Sequence, residues 1–191
     1  MTNVCIVRHG ETDWNVLGKI QGKTDIALNQ NGIRQSEECR EFLKLSQWDL
    51  MITSPLKRAK QTAMIINEEL NLPLFEMEEF MERSFGDAEG KTLAERQALY
   101  PDGEYPNQEE RNKFHHRVMT GLTKIHQRFQ DSQVLLIAHG AVINAILANL
   151  SNEEIGFEET RLVNACINNI FYHEEQWMIN NFNQTSHLSR V

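Results

Sequence analysis

The stretch that decides the fold is Val4-Cys5-Ile6-Val7-Arg8-His9-Gly10-Glu11-Thr12. It begins with four apolar residues and turns polar just before a glycine, which predicts a buried strand followed by a loop. In open α/β sheets, ligands bind at the carboxyl ends of the strands, and Arg8 and His9 lie at such an end. Histidine supplies a nucleophile or proton carrier near neutral pH, and arginine supplies donors for phosphate or carboxylate. The stretch therefore predicts an anion site at the end of the first strand.

Strands and helices alternate along most of the chain. The predicted strands cover residues 3–8, 49–54, 133–138, 164–172 and 177–182. The predicted helices cover residues 31–45, 55–70, 112–130 and 141–150. Such alternation predicts an α/β fold, a three-layer α/β/α sandwich with a mostly parallel sheet. The last two strands read as a hairpin, which would add an antiparallel edge strand.

Residues 80–110 are the least regular part of the chain and are called the cap segment below. Its turn-forming residues are Gly86, Gly90, Pro101, Gly103 and Pro106. Long irregular excursions from a compact domain are usually binding loops or covers over a site. No Pro-, Gly- or Ser-rich linker divides the chain. We therefore expect a single domain over 1–191 with one small inserted cap.

Composition limits the possible partners and the location. The 191 residues carry a net charge of −8, which argues against nucleic acid, since binding to it needs a basic face, and mildly against anionic membranes. The three cysteines, Cys5, Cys39 and Cys166, form no C-x-x-C pair and read as buried reduced thiols. No secretory signal and no apolar run of about 20 residues is visible. We expect a cytoplasmic protein that binds neither nucleic acid nor membranes.

Three of the predicted strands end in polar residues suited to an anion. The first ends in Arg8-His9-Gly10 and the second in Ser54-Pro55, with Arg58 in the opening turn of a helix that Pro55 is placed to start. The third ends in His139-Gly140 and runs directly into a helix. If the strands are parallel, these groups meet at one sheet edge. Arginine forks together with a helix N-terminus make a site for a dianion.

Each of these residues also has an ordinary structural explanation. A single histidine at a strand end is more often a hydrogen-bonded structural residue than a catalytic one. An arginine in a first helical turn is usually solvated, and it is slightly unfavourable beside the positive end of the helix dipole. A bound phosphate would remove that repulsion at Arg58. The same pattern at three strand ends favours the phosphate site.

At this point the chain resembles the histidine phosphatase superfamily, also called phosphoglycerate-mutase-like, and its small phosphatase branch in particular. The resemblance covers nearly the whole chain, and it departs from the pattern at Ala138, where Ser or Thr is commoner. The matching stretches are Arg8 to Asn15, Gln21-Gly22 with Asp25, Leu28 and Gly32, Ser54 to Ala63, Glu82 to Gly86 with Glu89-Gly90, His139-Gly140, and Asn183 to Leu188.

The resemblance implies a role for each matching residue. His9 would attack phosphorus and become a phosphohistidine. Glu82 would protonate the leaving alkoxide and later act as the base for water. Arg8, Arg58 and His139 complete the expected catalytic set. The expected phosphate- and substrate-binding residues are Arg8, Asn15, Gln21, Gly22, Arg58, His139 and Gly140. No metal and no cofactor is expected, and the partner would be a small phosphate ester.

The two reacting residues need opposite protonation states. His9 must be neutral to attack, and flanking arginines would lower its pKa and favour that form. Glu82 must be protonated at the leaving group, so burial or the charge of the phosphate has to raise its pKa. Without substrate, two nearby arginines would instead hold Glu82 ionised. The Thr12 and Asn15 side chains have a structural alternative, as caps of the following turn.

Three alternatives remain beside a phosphomonoesterase. A cofactor-dependent phosphoglycerate mutase would carry a longer, basic insertion, whereas residues 91–113 are short and acidic here. A metal-dependent hydrolase would use His9, His139 and acidic neighbours, but the sequence has no H-x-x-x-H motif and no close carboxylate pair at the usual ligand spacing. A non-catalytic phosphate-binding protein would not need every expected catalytic residue. The natural substrate and the oligomeric state stay open.

The sequence predicts no catalytic role for the remaining histidines. The sequence offers no partner for His115, His116, His126 or His173, and each is expected at the surface. His187 lies in a matching tail motif and reads as structural.

Overall fold

The computed structural model describes residues 1–155 and 161–189. Within them the chain forms one six-stranded sheet with strand order β3-β2-β4-β1-β5-β6. The strands are β1 Asn3–Arg8, β2 Leu50–Thr53, β3 Leu74–Glu76, β4 Gln133–Ala138, β5 Ile167–His173 and β6 Gln176–Gln184. The α-helices are α1 Asp13–Val16, α2 Gln30–Leu43, α3 Lys57–Leu70, α4 Leu93–Leu99, α5 Arg111–Arg128 and α6 Gly140–Leu150.

The sheet register brings the predicted site residues to one edge. Strand β1 pairs in parallel with β4, with Arg8 opposite Ala138. Strand β4 pairs in parallel with β2, with Thr53 opposite Ile137. Strand β5 pairs antiparallel with β1, and β6 pairs antiparallel with β5. The mostly parallel sheet with an antiparallel edge is therefore confirmed, and the carboxyl ends of β1, β2 and β4 adjoin.

Alternating side chains of the central strands bury two separate cores, which makes the fold three-layered. On one face, Val4 and Ile6 of β1 pack with the inner side of α5 and with α6. On the other face, Cys5 and Val7 pack with α2 and α3. The predicted α/β/α sandwich is confirmed.

The structure also contains elements that the sequence patterns did not predict. Strand β3 has three residues, with Leu74 and Glu76 exposed, and is too short to show a period. Helix α1 has four residues and is held by a capping box between Thr12 and Asn15. Helix α3 begins at Lys57 rather than at Pro55, with Leu56 as its N-cap. Helix boundaries of this kind depend on capping contacts that only the folded chain provides.

The cap segment is more ordered than its glycines and prolines suggested. A 3₁₀ turn at Glu78–Phe80 leads into it and places Phe80 fully inside the core. A second 3₁₀ turn follows at Gly86–Ala88, and then α4, which buries none of its residues. A capping box between Thr92 and Glu95 starts α4. The segment therefore begins in the core and ends on the surface.

Some smaller expectations have clear outcomes. His126 is not a plain surface residue, because its ring stacks on Tyr172 with ring centroids 3.7 Å apart. His187 is structural, since its Nε2 lies 3.0 Å from the carbonyl oxygen of Ala165. All three cysteines are free and buried. In the described part of the chain, no helix has the length and apolar character needed to cross a membrane.

Candidate active site

Two histidines and a buried arginine meet where β1, β2 and β4 end. His9 follows β1, His139 follows β4, and their ring centroids lie 5.2 Å apart. Arg58 reaches them from the first turn of α3 and is 1% exposed, an unusual burial for a cation. The predicted convergence of three strand ends is therefore present. We call His9, Arg58 and His139 the floor of the site.

Hydrogen bonds fix the tautomer of His9. Its Nδ1 lies 2.7 Å from the carbonyl oxygen of Gly10, which can only accept, so Nδ1 carries the proton. Its Nε2 is then unprotonated and accepts from Arg58 Nε at 3.3 Å. Burial, and then the charges of Arg58 and Arg8, hold the pKa of His9 well below its usual value. The ring is therefore neutral, with a lone pair facing the cationic side of the site.

Backbone carbonyls of residues 21–25 hold Arg58 in place. Its Nη2 donates to Gly22 O at 2.7 Å, and its Nη1 donates to Thr24 O at 3.0 Å. Burial lowers the pKa of Arg58 to about 10, so the guanidinium stays charged at neutral pH. Asp25 from the same loop accepts from the Lys57 amide at 2.6 Å and so caps α3.

Glu89 fixes that loop from the side of the cap segment. Its carboxylate accepts from the amides of Lys23 at 3.1 Å and Thr24 at 3.0 Å. It also accepts from the Phe85 amide at 3.0 Å. Gly22 has φ 54°, and a Cβ there would lie 2.0 Å from Glu89 Oε1, so only glycine permits this approach. Glu89 thus joins the cap segment to the loop that holds Arg58.

Arg8 lies between the floor and the segment that precedes β5. Its Nη1 donates to Leu162 O at 2.5 Å, while its Nε is buried without a hydrogen-bond partner among the described residues. Gly140 packs against it, since a Cβ at Gly140 would lie 3.5 Å from Arg8 Nε. Burial lowers the pKa of Arg8, and the positive charge of Arg161 lowers it further. An anion bound here would satisfy the exposed side of this charge.

His139 presents one ring nitrogen without a partner. Its Nε2 lies 2.7 Å from Ser54 Oγ, and that oxygen accepts from the Leu56 amide at 3.3 Å. The Ser54 hydroxyl can donate its proton to Nε2, and in that arrangement the ring proton lies on Nδ1. This Nδ1 is buried and has no partner in the described parts of the chain. Burial, and then Arg58, hold the pKa of His139 well below its usual value.

Glu82 comes from the cap segment but binds to the floor. Its Oε2 accepts from the Ala141 amide at the start of α6 at 3.1 Å, and its Oε1 accepts from the Arg83 amide at 3.0 Å. Burial raises the pKa of Glu82, although the two amides, Arg58 and Arg8 act in the opposite direction. Burial outweighs the arginines, so the net shift is toward the proton-carrying form that an acid needs.

The other predicted residues have different positions. Asn15 caps α1, because its Oδ1 accepts from the Thr12 amide at 3.0 Å and from Asn164 Nδ2 at 3.3 Å. Gln21 is buried, with its Oε1 3.0 Å from the Thr12 hydroxyl. The carbonyl of Gly22 faces Arg58. These three therefore lie beside the floor, and Gly22 supports Arg58 directly.

Sequence patterns alone did not single out several residues that support the site. Asn164 Nδ2 donates to His9 O at 3.1 Å, and the Thr62 hydroxyl accepts from the Gly10 amide at 3.0 Å. Glu89 was one glutamate among several in the cap segment. The Glu89-Gly90 pair was its only local signal. Such contacts join residues far apart in the chain, so no local pattern marks them.

Among residues 1–155 and 161–189, no three His, Cys, Asp or Glu side chains group as a metal site. The arrangement is one of fixed positive donors around a neutral histidine, with a buried carboxyl opposite. Such a pocket suits the equatorial oxygens of a transferring phosphoryl group.

Comparison with known proteins identifies the family. The model of the histidine phosphatase superfamily (branch 1) matches residues 4–185, so the chain belongs to this superfamily. The uncharacterized phosphatase PhoE of Bacillus subtilis (strain 168) is 53% identical over 189 residues, covering 99% of this chain and 98% of the relative. The metal-independent phosphoserine phosphatase of Arabidopsis thaliana is 30% identical over 205 residues, covering 100% of this chain and 85% of the relative.

Solved structures agree with this assignment. A phosphoserine phosphatase from Entamoeba histolytica, in complex with 3-phosphoglyceric acid, has a TM-score of 0.86 at 30% identity and covers 98% of this chain and 100% of its own. Bacillus stearothermophilus YhfR has a TM-score of 0.91 at 23% identity, covers 98% of this chain and 99% of its own, and supports the fold. The chain is a metal-independent histidine phosphatase, a phosphomonoester hydrolase that works through a phosphohistidine intermediate.

Proposed function

We propose that His9 is the residue that carries the phosphoryl group and that Glu82 is its acid and base. The observation that carries this assignment is the state of His9, whose Nδ1 proton is held on Gly10 O while Nε2 faces Arg58. A neutral imidazole with its free nitrogen toward the arginines is prepared to attack phosphorus. Burial raises the pKa of Glu82, which favours the protonated form that the leaving group needs.

The reaction proceeds in two balanced steps. His9 Nε2 forms a bond to phosphorus while the ester P–O bond breaks, and the leaving alkoxide takes the proton of Glu82. Water then attacks phosphorus, gives a proton to the Glu82 carboxylate, and the P–N bond breaks to release inorganic phosphate. Positioning of this kind can supply about 7–11 kcal/mol of the barrier.

The phosphoryl oxygens bind to buried donors at the floor and at Arg8. Arg8 Nε and His139 Nδ1 are buried without acceptors among the described residues, and both become donors to the phosphate. Arg58 Nε turns from His9 to a phosphoryl oxygen as His9 attacks. The Gly140 amide at the start of α6 and the Asn15 amide group are further donors. Gln21 and Gly22 line the mouth of the site, and Gly22 also holds Arg58.

The contacts within the cap segment favour a phosphatase over a phosphoglycerate mutase, which would move the phosphoryl group between two positions of a glycerate. Its cations already bind the segment itself: Arg96 Nη1 donates to Tyr105 Oη at 2.8 Å, and Lys91 Nζ donates to Asp87 O at 2.6 Å. Arg83 Nε donates to Glu109 O at 3.0 Å. A mutase would need basic groups of this segment free for the carboxylate of a retained substrate. The segment therefore selects a phosphate ester, releases its product and leaves water as the acceptor.

The wider assignments rest on the same observations. The chain from 1 to 191 acts as a single catalytic domain with the cap segment as its substrate-selecting part. Its three buried, free cysteines suit a reducing compartment, which supports a cytoplasmic location. Substrates are phosphate esters of small metabolites. Phosphoserine is the first to test, because the relative from Arabidopsis thaliana and the solved neighbour from Entamoeba histolytica are phosphoserine phosphatases.

A trapping experiment tests the assignment of His9. The purified protein is mixed with a ³²P-labelled phosphate ester, quenched in alkali, and examined for an acid-labile, alkali-stable phosphoenzyme. We expect the label on wild type and on His116→Ala, whose histidine is exposed on α5, and no label on His9→Ala. We also expect His9→Ala to lose turnover by at least about 10⁴-fold. Label retained by His9→Ala would refute the assignment, and phosphate passed between glycerate positions would favour the mutase.

A further inference from the structure

A large cavity adjoins the floor on the side of Arg8. Its volume is about 940 Å³, and it lies between the start of α2 and the segment before β5. Two of its walls, Arg8 and Asn15, also belong to the proposed phosphate site. Its other polar walls include Glu11, Arg34, Arg161 and Asn164. The cavity is therefore continuous with the place where the phosphoryl group binds.

The charge of this cavity is opposite to that of the protein. Arg8, Arg34 and Arg161 face one carboxylate, Glu11, in a chain whose net charge is −8. Glu11 is itself engaged, since its Oε1 accepts from Asn29 Nδ2 at 2.9 Å. A local excess of positive charge in a cavity attracts anions, even on an acidic protein.

The positive charge of Arg34 is paired with Glu38 of the same helix only at the limit of ion-pair distance. Its guanidinium donates to Asn31 Oδ1, a neutral acceptor. The carboxylate of Glu38 lies 3.9 Å from Arg34 Nε, beyond hydrogen-bond distance, and Glu38 accepts instead from the Ser189 amide at 3.3 Å. Arg34 Nε has no hydrogen-bond partner in the described ranges.

Arg161 brings another positive charge to the wall of the cavity. No carboxylate in residues 1–155 or 161–189 forms an ion pair with it. It lies near enough to Arg8 for its charge to lower the pKa of that residue. Two like charges held together in the free protein are relieved when an anion binds between them.

Hydrogen bonds connect this cavity to the nucleophile. Arg8 Nη1 donates to Leu162 O at 2.5 Å in the cavity wall. Asn164 Nδ2 donates both to His9 O at 3.1 Å and to Asn15 Oδ1 at 3.3 Å. A group bound in the cavity therefore lies against the same residues that position His9.

We propose that this cavity is a subsite for a second anionic group of the substrate, either a carboxylate or a second phosphate, with Arg34 and Arg161 as specificity-determining residues. The inference rests on the proposed function of the floor. Guanidinium forks match the planar oxygens of a carboxylate and those of a phosphate. The substrates of this enzyme are then phosphate esters with a second negative charge, and esters with a neutral tail are poorer substrates.

Matched pairs of substrates test the subsite. The carboxylate pair is 3-phosphoglycerate against glycerol 1-phosphate, which differ at one terminal carbon. The phosphate pair is 1,3-propanediol bisphosphate against 3-hydroxypropyl phosphate. We expect wild type to prefer at least one charged member by about tenfold or more in kcat/KM, because a charge-assisted hydrogen bond contributes that much. The pair that shows the preference identifies the anion.

Two variants and one control complete the test. Arg34→Gln and Arg161→Gln should each lower kcat/KM for the charged substrate about tenfold, mainly by raising KM. For the neutral substrate, kcat/KM should stay within about twofold of the wild-type value. Arg40→Gln is the control, because Arg40 lies on the same helix and binds Glu68 at 2.7 Å outside the cavity. Arg40→Gln should leave kcat/KM unchanged for both substrates.

The outcomes separate the two proposals. The subsite would be overturned if wild type had the same kcat/KM for both members of each pair. It would also be overturned if the variants lost the same factor in kcat/KM on the charged and the neutral substrate. Neither result would affect the chemistry proposed for the floor. The absence of a labelled phosphoenzyme from the neutral ester would instead overturn the proposed function.

Discussion

The floor and the cap segment meet at one site but are held in opposite ways. His9 is fixed by the carbonyl of Gly10, Arg58 by two carbonyls of the 21–25 loop, and His139 by Ser54. The cap segment is held largely by contacts among its own side chains, such as Arg96 to Tyr105, and α4 buries nothing. The floor has one arrangement available, whereas much of the cap segment can change without loss of the core.

In the proposed function, this difference separates the reaction at the floor from the part of substrate choice that belongs to the cap segment. Groups that bind and transfer a phosphoryl group must not move, since electrostatic stabilisation depends on donors that are already in position. Groups on an exposed segment can differ between proteins that share the same chemistry. Glu82 is the exception, because it starts the cap segment in sequence and is bound by the first turn of α6 in space.

The largest effect is expected at Glu82. Glu82→Gln keeps the size of the side chain and one of its two acceptors, but it cannot give a proton to the leaving group. We expect a loss of about 10²–10⁴-fold in kcat/KM for an alkyl phosphate. The loss should be much smaller for p-nitrophenyl phosphate, whose leaving group needs no proton. Glu78→Gln, at an exposed position just before the cap segment, should leave both rates unchanged.

The pH profile gives a second measurement on the same variant. In the proposed mechanism Glu82 acts in its protonated form, so we expect activity to fall as pH rises through its raised pKa. The active form of His9 is neutral, so activity falls at low pH only below its lowered pKa. The pH profile of Glu82→Gln should therefore lack the fall in activity at high pH and retain the fall at low pH. An unchanged high-pH limb in Glu82→Gln would assign that limb to another group.

A slightly smaller loss is expected at Arg58. Arg58→Gln removes a buried charge that stabilises the transferring phosphoryl group, and one such donor is typically worth about 10²–10³-fold in kcat. It also leaves the carbonyls of Gly22 and Thr24 without donors, so unfolding should become easier by about 1–3 kcal/mol. Steady-state kinetics and chemical denaturation measure the two effects. Lys57→Gln, the exposed neighbour in the same helical turn, should show neither.

Much of the floor could be predicted from the sequence because its residues follow regular elements. A buried strand has an apolar run, and His9 and His139 come directly after such runs. Their convergence then follows from parallel pairing alone. The balance of effects at Glu82 could not be predicted, because burial raises its pKa while the two arginines act against that rise. The degree of burial of a side chain is a property of the folded chain.

The cap segment was harder to predict for a related reason. Helix α4 has no buried face, so it has no apolar period to detect, and only the Thr92 and Glu95 capping box marks its start. Strand β3 is too short for alternation to show. The roles of Glu89 and Asn164 depend on contacts across 65 and 155 positions of chain. Local sequence patterns predict helices and strands well. They predict contacts between these elements only where the contacts follow from the topology of the fold.

Glu89 joins the two regions, and its substitution measures how firmly they are joined. Glu89→Gln keeps one acceptor for the amides of Lys23 and Thr24 and loses the negative charge. The loop would hold Arg58 less firmly, so we expect about a tenfold fall in kcat, a size set by the loss of one charge-assisted hydrogen bond. Asp87→Asn is a matched control on the cap segment that does not contact the loop. An unchanged kcat would show that the loop holds Arg58 without help.

The smallest effect is expected within the cap segment itself. Arg96→Gln breaks the contact with Tyr105, which lies away from the floor. Such partly exposed contacts contribute little, so we expect a stability change of about 0.5 kcal/mol and a rate on p-nitrophenyl phosphate within about twofold of wild type. Thermal unfolding and steady-state assays check both. A loss of tenfold or more on this small substrate would mean that the outer cap segment orders the floor, and the separation between reaction and substrate choice would fail.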